Sequence, residues 1–321
     1  MNTNSVTKVT VAKTLLAAGM ELLEGEFEVS EGGSDCDRRR LIGLLPGSGA
    51  LIADPTVSVD AEVLDAAGPE LRVVANYAVG YDNIDLEACS SRGVIVTNTP
   101  DVLTDATAEL AVGLTFAAAR RIPEFEADLR SGGWSSWEPG GYRGVELTGC
   151  TIGVLGMGRI GRRYAEIMSG VAGRTIFWSR SGKPEVEGEL GAERVELPDL
   201  LSESDVLSIH LAATPGTRGM IGPDEIAAMK PGAILVNTAR GSLVDADAVA
   251  SALVSGQLGG AGLDVFENEP EVPRVLLDAP GAVLTPHIGS ATFRARDEMA
   301  RLAARNVVEV LSGRDPVTPV T

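Results

Sequence analysis

Short runs of aliphatic and β-branched residues alternate along this chain with longer stretches in which apolar residues recur at helical spacing. The runs at 8–12, 27–29, 50–53, 71–76 and 94–97 form one set of candidate strands. A second set follows at 151–155, 175–179, 205–211, 233–238, 262–266 and 282–285, separated by amphipathic stretches such as 159–168 and 246–254. Near-continuous apolar strands alternating with helices are the signature of parallel sheets with crossover helices. The expected fold is therefore α/β, with two doubly wound parallel-sheet units, the second of them a dinucleotide-binding (Rossmann-type) domain. The Gly-rich stretch 132–144 reads as a loop, and 292–311 as a final helix whose packing partner the pattern does not reveal.

Composition narrows the class. With 321 residues, 44% of them hydrophobic and 22% charged, the chain can bury two cores. Cys36, Cys89 and Cys150 are odd in number, widely spaced and without a CxxC pair, so neither a disulfide framework nor a metal site is expected, and a reducing cytoplasm fits. Lys13 interrupts the apolar run that begins at Val9, which argues against a signal peptide. The longest apolar stretch, 110–119, lies between Glu109 and Arg120 and is far short of the roughly 20 residues of a membrane span. It reads as a buried helix that can also serve a subunit contact. A net charge of −18 disfavours nucleic acid and anionic membranes as partners, and any site for an anion must carry its own cations. An ordinary solvated surface and a salty habitat both account for that charge.

Gly156, Gly158 and Gly161 form GxGxxG between a candidate strand and a candidate helix. In that context the first glycine permits the tight turn and the second lets backbone approach a pyrophosphate. The third allows close helix–strand packing, with the anion at the helix N-terminus. Where an NAD-selective fold carries an acid, about 20 residues further on, this chain has Ser179, Arg180 and Ser181, then Lys183, and no acid before Glu185. A guanidinium flanked by hydroxyls binds a 2′-phosphate that a carboxylate repels. NADPH is the expected cofactor, with NAD also possible where Arg180 only stacks on the adenine.

Arg240, Glu269 and His287 each follow a candidate strand, where ligands bind in doubly wound sheets. Hydride arriving at a carbonyl carbon leaves charge on oxygen, which a positioned imidazolium neutralises. His287 is the candidate proton donor and Glu269 its orienting carboxylate, since an acid beside an imidazole favours the charged form. Arg240 offers the fork that grips a carboxylate. Taken singly, Arg240 reads equally as a surface ion-pair partner and Glu269 as part of a solvated acidic stretch. His210, the other of the two histidines, reads as a packed or cofactor-floor residue on a strand. Asp264 either lies near the nicotinamide or caps the turn that follows it.

These segments, LRVVANYAVGYDNID, TNTPDVLTDATAEL, GVLGMGRIG, NTARGSLVD, GAGLDVFENEP and LTPHIGSAT, resemble the D-isomer-specific 2-hydroxyacid dehydrogenase family over nearly the full length. Within it, PDVLTDATAEL, GGWSSW and the SRS strand end are most similar to glyoxylate and hydroxypyruvate reductases. The resemblance implies a catalytic set of Arg240, Glu269 and His287, and substrate-carboxylate binding by the backbone amides of Val79 and Gly80. It implies cofactor contacts at Thr104, Met157, Gly158, Arg159, Ile160, Ser179, Arg180, Ser181, Thr238, Ala239, Asp264, His287 and Gly289. It further implies a flavodoxin-like substrate domain of residues 1–99 and 290–321, a cofactor domain of residues 100–289 with hinges near both crossings, and a homodimer formed through the cofactor domain. Gly140 and Gly141 stand where hydroxypyruvate reductases of this type carry bulky residues, which leaves the choice between glyoxylate and hydroxypyruvate open.

The expected reaction is thus NADPH-preferring reduction of glyoxylate or hydroxypyruvate to glycolate or D-glycerate. Two alternatives stand beside it: a broader D-2-hydroxyacid dehydrogenase for larger 2-oxo acids, and a dinucleotide-sensing corepressor-like binding protein.

Overall fold

The computed structural model describes residues 6–321; residues 1–5, with which the expected substrate domain begins, lie outside the described residues. The chain divides into two compact units, one running to Leu103 and resuming at Ser290–Thr321, the other comprising Thr104–Gly289.

The first unit is built on a parallel sheet of β1 (Lys8–Val11), β2 (Glu28–Glu31), β3 (Ser48–Ala53), β4 (Val73–Asn76) and β5 (Ile95–Thr97), in the order β2-β1-β3-β4-β5. That is the flavodoxin-like order. Every residue of β3 and β4 is buried, as expected of parallel strands covered on both faces. Three of its helices start on an aspartate whose carboxylate accepts a first-turn amide: Asp37 from Arg40, Asp60 from Val63 and Asp85 from Ala88. The final helix, Phe293–Leu311, packs against β3, β4 and the helix Ala17–Leu23. Beyond it the C-terminal tail pairs with β5, where Thr97 bridges Pro319 and the Val320 amide donates to Val96. The periodic pattern carries no hint of this pairing.

The second unit carries seven parallel strands: β6 (Thr151–Leu155), β7 (Arg174–Trp178), β8 (Glu193–Arg194), β9 (Val206–Ile209), β10 (Ala233–Asn237), β11 (Leu258–Leu263) and β12 (Ala282–Leu284). Their order, β12-β11-β10-β9-β6-β7-β8, is the dinucleotide-binding arrangement with one strand added, and it reverses direction between β6 and β9. The helix Thr104–Ala119 packs against β10, β11 and the helix Arg159–Met168, and the Thr115 and Tyr164 hydroxyls meet at 3.0 Å inside that contact. Among the described residues no helix is long and apolar enough to cross a membrane.

One strand departs clearly from the hydrophobic pattern. Residues 262–266 carry the apolar signal, yet β11 is Leu258–Leu263, a glycine-rich segment, and the chain leaves the strand at a bend at Asp264, with Val265 and Phe266 beyond it. The reason is steric. A Cβ on Gly262 would stand 2.8 Å from the Leu114 Cβ, because the helix Thr104–Ala119 lies directly against the strand. Packing at close range, rather than side-chain hydrophobicity, makes this segment a strand. Smaller shifts occur at β2 and β9, and His210 lies just past the end of β9 rather than within it. The two-residue β8 is too short to leave a pattern.

Gly262→Val is therefore expected to lower the stability of this unit by about 1–3 kcal/mol through overpacking, lowering the urea midpoint. Gly43→Ala, in a helix with nothing within 4 Å of the added carbon, should instead raise it slightly. Equal behaviour of the two variants would contradict the steric account of β11.

Candidate active site

Six strands of the second unit, β6, β7, β9, β10, β11 and β12, end on one edge of the sheet, and each hands the chain to a residue of the candidate site. After β6 comes Gly156 at φ +105°, where a Cβ would also stand 2.8 Å from the carbonyl of His210. At Gly161 a Cβ would stand 2.1 Å from the Gly156 carbonyl oxygen. The protein's own packing thus demands these two glycines. Gly158 differs, because nothing lies within 4 Å of its would-be Cβ and no side chain caps the helix it begins, Arg159–Met168. That open cradle over first-turn amides fits a pyrophosphate. Met157 is buried in the core, Ile160 packs against it, and Arg159 faces outward.

At the end of β7 the Gly156 amide donates to the Trp178 carbonyl at 2.9 Å. Ser179 is buried, and its hydroxyl donates to the Ser181 carbonyl at 2.7 Å while its own carbonyl accepts from Arg194 at 3.2 Å. The turn so formed leaves Arg180 and Ser181 exposed.

After β9, His210 is placed 2.9 Å from the Ser208 hydroxyl and its ring centroid 5.2 Å from that of Tyr164. Burial pushes this imidazole down to about 3, which favours its neutral form.

After β10, buried Asn237 shapes the turn that presents Arg240. Its Nδ2 donates to the Arg240 carbonyl at 2.8 Å, and its Oδ1 accepts the Ala239 amide at 3.0 Å. Thr238, between them, has a buried hydroxyl with no hydrogen-bond partner among the described residues. Such an orphan costs on the order of 1–3 kcal/mol, and its place just past the end of β10, two residues before Arg240, suits a polar ligand. A nicotinamide dinucleotide fits this combination of open glycine cradle and unsatisfied hydroxyl.

After β11, Asp264 is fully buried and both of its oxygens are engaged. Oδ1 accepts from the Thr285 hydroxyl at 2.6 Å and the Ile288 amide at 2.8 Å, and Oδ2 from the Gly289 amide at 2.8 Å. Burial raises its pKa, opposed by those donors and by the charge of His287. These bonds tie Asp264 to the turn after β12 that carries His287, not to the turn that directly follows Asp264. Gly289 is gripped by the same carboxylate.

His287, after β12, adopts φ +51°, a left-handed conformation uncommon outside glycine. Its amide donates to the carbonyls of Asp264 and Thr285. Its Nδ1 lies 2.6 Å from Glu269 Oε2, and Glu269 Oε1 accepts the Phe266 amide at 2.9 Å. Burial would raise the Glu269 carboxyl, but the hydrogen bonds from His287 and Phe266 and the charges of His287 and Arg240 hold it below its ordinary value. With Nδ1 committed to the carboxylate, Nε2 is the nitrogen left for chemistry.

The structure thus joins Glu269 to His287 and sets Arg240 within electrostatic reach of Glu269. Thr104 opens the helix Thr104–Ala119, Ala239 is half-buried beside Arg240, and Val79 and Gly80 lie in the other unit, after β4. Sequence reasoning missed Asn237 and Thr285. A polar residue ending the otherwise apolar run AILVN was the one available signal for the first. A cavity of about 660 Å³ lies behind the Arg240 turn, lined by Gly241, Ser242, Phe266 and Glu267 among others, and none of the three catalytic candidates lines it.

Residues 112–289 match the family model described as D-isomer specific 2-hydroxyacid dehydrogenase, NAD binding domain. The glyoxylate reductase of Thermococcus kodakarensis is 46% identical over 319 residues, covering 98% of this chain and 96% of that protein. A crystal structure of a protein from Thermus thermophilus matches with a TM-score of 0.92 at 42% identity, covering 98% of this chain and all of that one. An NADPH-dependent glyoxylate/hydroxypyruvate reductase of Sinorhizobium meliloti, solved with NADP and malonate, matches with a TM-score of 0.88 at 32% identity. The match covers 99% of this chain and 97% of that one.

Removing the orphan hydroxyl separates ligand binding from folding. Thr238→Val is expected to leave the unliganded protein as stable or about 1 kcal/mol more stable, yet to weaken dinucleotide binding several-fold. Calorimetric titration and thermal unfolding with and without the dinucleotide check this; a loss of stability in the unliganded variant would show that the hydroxyl has a protein partner after all.

Proposed function

This chain belongs to the D-isomer-specific 2-hydroxyacid dehydrogenase family, and from that premise we propose that it reduces glyoxylate, and hydroxypyruvate beside it, with NADPH as the preferred reductant. It is an NAD(P)-dependent dehydrogenase; substrate, reductant and residue roles are the proposal. The observation that carries the residue roles is the 2.6 Å contact between His287 Nδ1 and Glu269 Oε2. When bound, the reduced nicotinamide supplies hydride to the carbonyl carbon. His287 gives the proton at Nε2 to the oxygen that becomes alkoxide, while Glu269 fixes the ring and balances its charge. Arg240 steadies the substrate's carboxylate and carbonyl oxygen. The amides of Val79 and Gly80 are assigned the carboxylate as well. The cradle at Gly156, Gly158 and Gly161, with Thr104, Thr238, Ala239 and the turn 179–181, is assigned the dinucleotide.

The names of the relatives, glyoxylate reductases at 44–46% identity over nearly the whole chain, support the substrate. Preference for NADPH is supported by the exposed Arg180 at a strand end that holds no acid, and by the NADP bound to the similar Sinorhizobium enzyme. A homodimer formed through this unit is supported by an uncovered apolar face. The helix Ile122–Ser131 buries no residue, Ile122 and Leu129 are exposed, and so are Trp134 and Trp137 beyond it. A solution mass of one chain would remove that part.

His287→Ala is expected to lower turnover by about 100- to 10,000-fold. Glu269→Gln keeps the shape but loses the charge that favours the imidazolium, so the alkaline limb of its pH–rate profile should move to lower pH. The acid side follows a different sign: Glu269, held below its ordinary value, keeps its contribution at neutral pH and loses it only as pH falls through that depressed value. An unmoved alkaline limb in Glu269→Gln would detach the carboxylate from proton transfer.

Crossing NADPH and NADH with glyoxylate, hydroxypyruvate, pyruvate and a bulkier 2-oxo acid tests the rest. Arg180→Asp should weaken NADPH by about tenfold or more, the worth of one charge-assisted contact, with NADH little changed. Equal losses for both dinucleotides mean that Arg180 only stacks on the adenine.

A further inference from the structure

We infer that Asn98 is a positioning residue for the substrate carboxylate, aiming the Gly80 amide from behind, and that the C-terminal tail holds Asn98 in place to do so. The inference rests on the proposed role of Val79 and Gly80. It is carried by hydrogen bonds of the first unit that the catalytic reading leaves unused.

In the loop after β4, three consecutive carbonyls each accept a hydrogen bond from the protein. Ala78 accepts from the Thr99 amide at 2.8 Å, Val79 from Asn98 Nδ2 at 2.8 Å, and Gly80 from Asn76 Nδ2 at 2.7 Å. A trans peptide is planar, with its carbonyl and its N–H pointing in opposite directions. The Val79 carbonyl shares a peptide with the Gly80 N–H, and the Ala78 carbonyl shares one with the Val79 N–H. Thr99 therefore aims the Val79 N–H, and Asn98 aims the Gly80 N–H. Neither N–H has an acceptor among the described residues. A donor on each carbonyl also polarises the N–H at the other end of its peptide, strengthening it toward an anion.

Asn98 is itself clamped. Its amide donates to the Thr318 carbonyl at 3.3 Å, and its carbonyl accepts from the Thr318 hydroxyl at 2.6 Å. The Thr318 hydroxyl accepts in turn from Asn306 Nδ2 at 2.8 Å, and Asn306 Oδ1 takes the amides of Val317 and Thr318 at 2.9 and 3.0 Å. Asn306 is fully buried in the final helix, and a buried amide is costly unless its partners are fixed. The tail thus fixes Asn98, and Asn98 fixes the peptide, so residues at positions 306–318 act on a loop at 78–80.

The test follows the Val79 and Gly80 amide resonances of deuterated, 15N-labelled protein with NADPH bound, while oxamate is titrated as a carboxylate probe. In the parent chain both amides should move on binding. In Asn98→Ala the Gly80 response should shrink, with oxamate Kd and glyoxylate KM each rising about tenfold, the worth of one hydrogen bond to a charged group. NADPH affinity should hold, because a merely structural role would move it as well. Thr318→Val should act in the same direction and more weakly, while Thr318→Ser, which keeps the hydroxyl, should restore parent values. Unchanged oxamate Kd and KM in Asn98→Ala, or parallel loss of NADPH affinity, overturns the inference. Oxamate binding to the parent chain without movement of either amide overturns the underlying assignment of Val79 and Gly80 instead.

Discussion

One buried carboxylate organises the reactive side of the second unit. Asp264 lies at the end of a strand, out of contact with water, where an isolated charge would cost several kcal/mol. Three donors offset that cost, and all three belong to the turn 285–289 that carries His287. The unfavourable left-handed backbone of His287 persists because that turn is tied at both ends to Asp264, through its carbonyl and through its side chain. Glu269 then has a ring in a fixed place to bind. Without the first carboxylate, the pairing of the second with His287 would be one conformation among many.

The same logic runs through the other turns of both units. Side chains that never meet a substrate use their hydrogen bonds on backbone, and backbone geometry does the aiming. Asn237 shapes the turn of Arg240, Ser179 the turn of Arg180, and Asn98 and Asn76 the peptides of the loop after β4. A carbonyl held on one side is an amide directed on the other, which costs no side-chain entropy at the moment of binding.

This division explains what could be read in the sequence. Residues marked by type at a local spacing could be picked out: the GxGxxG glycines, two of them required by packing, the arginine, acid and histidine proposed for catalysis, and the exposed Arg180. Their signal is a residue type at a spacing, and spacing is local. Residues that act by holding another segment were not legible, because the partner lies far off in sequence. Thr285 serves Asp264 and Thr318 serves Asn98, across 21 and 220 positions. The strand β11 departs from its hydrophobic pattern for a related reason. Gly260 and Gly262 answer to the helix Thr104–Ala119, far earlier in the chain, so the pattern of the strand itself understates its burial.

A chain of net charge −18 that handles anions must separate its surface from its site. At physiological salt, solvent-exposed charges farther off than about 8 Å are largely screened, so the acidic surface acts only weakly on an anion that approaches through water. Within that range the local groups decide, and they are arranged with one sign. The guanidinium of Arg240, the imidazole of His287 and the uncapped first-turn amides after Gly158 present positive charge or N–H groups. The two carboxylates among them are already committed, Asp264 to the turn and Glu269 to His287 and the Phe266 amide. A committed carboxylate repels an incoming anion less than a bare one, since its field is met by donors at hydrogen-bond distance. The acids at this site therefore build the cationic surface that an anionic substrate requires.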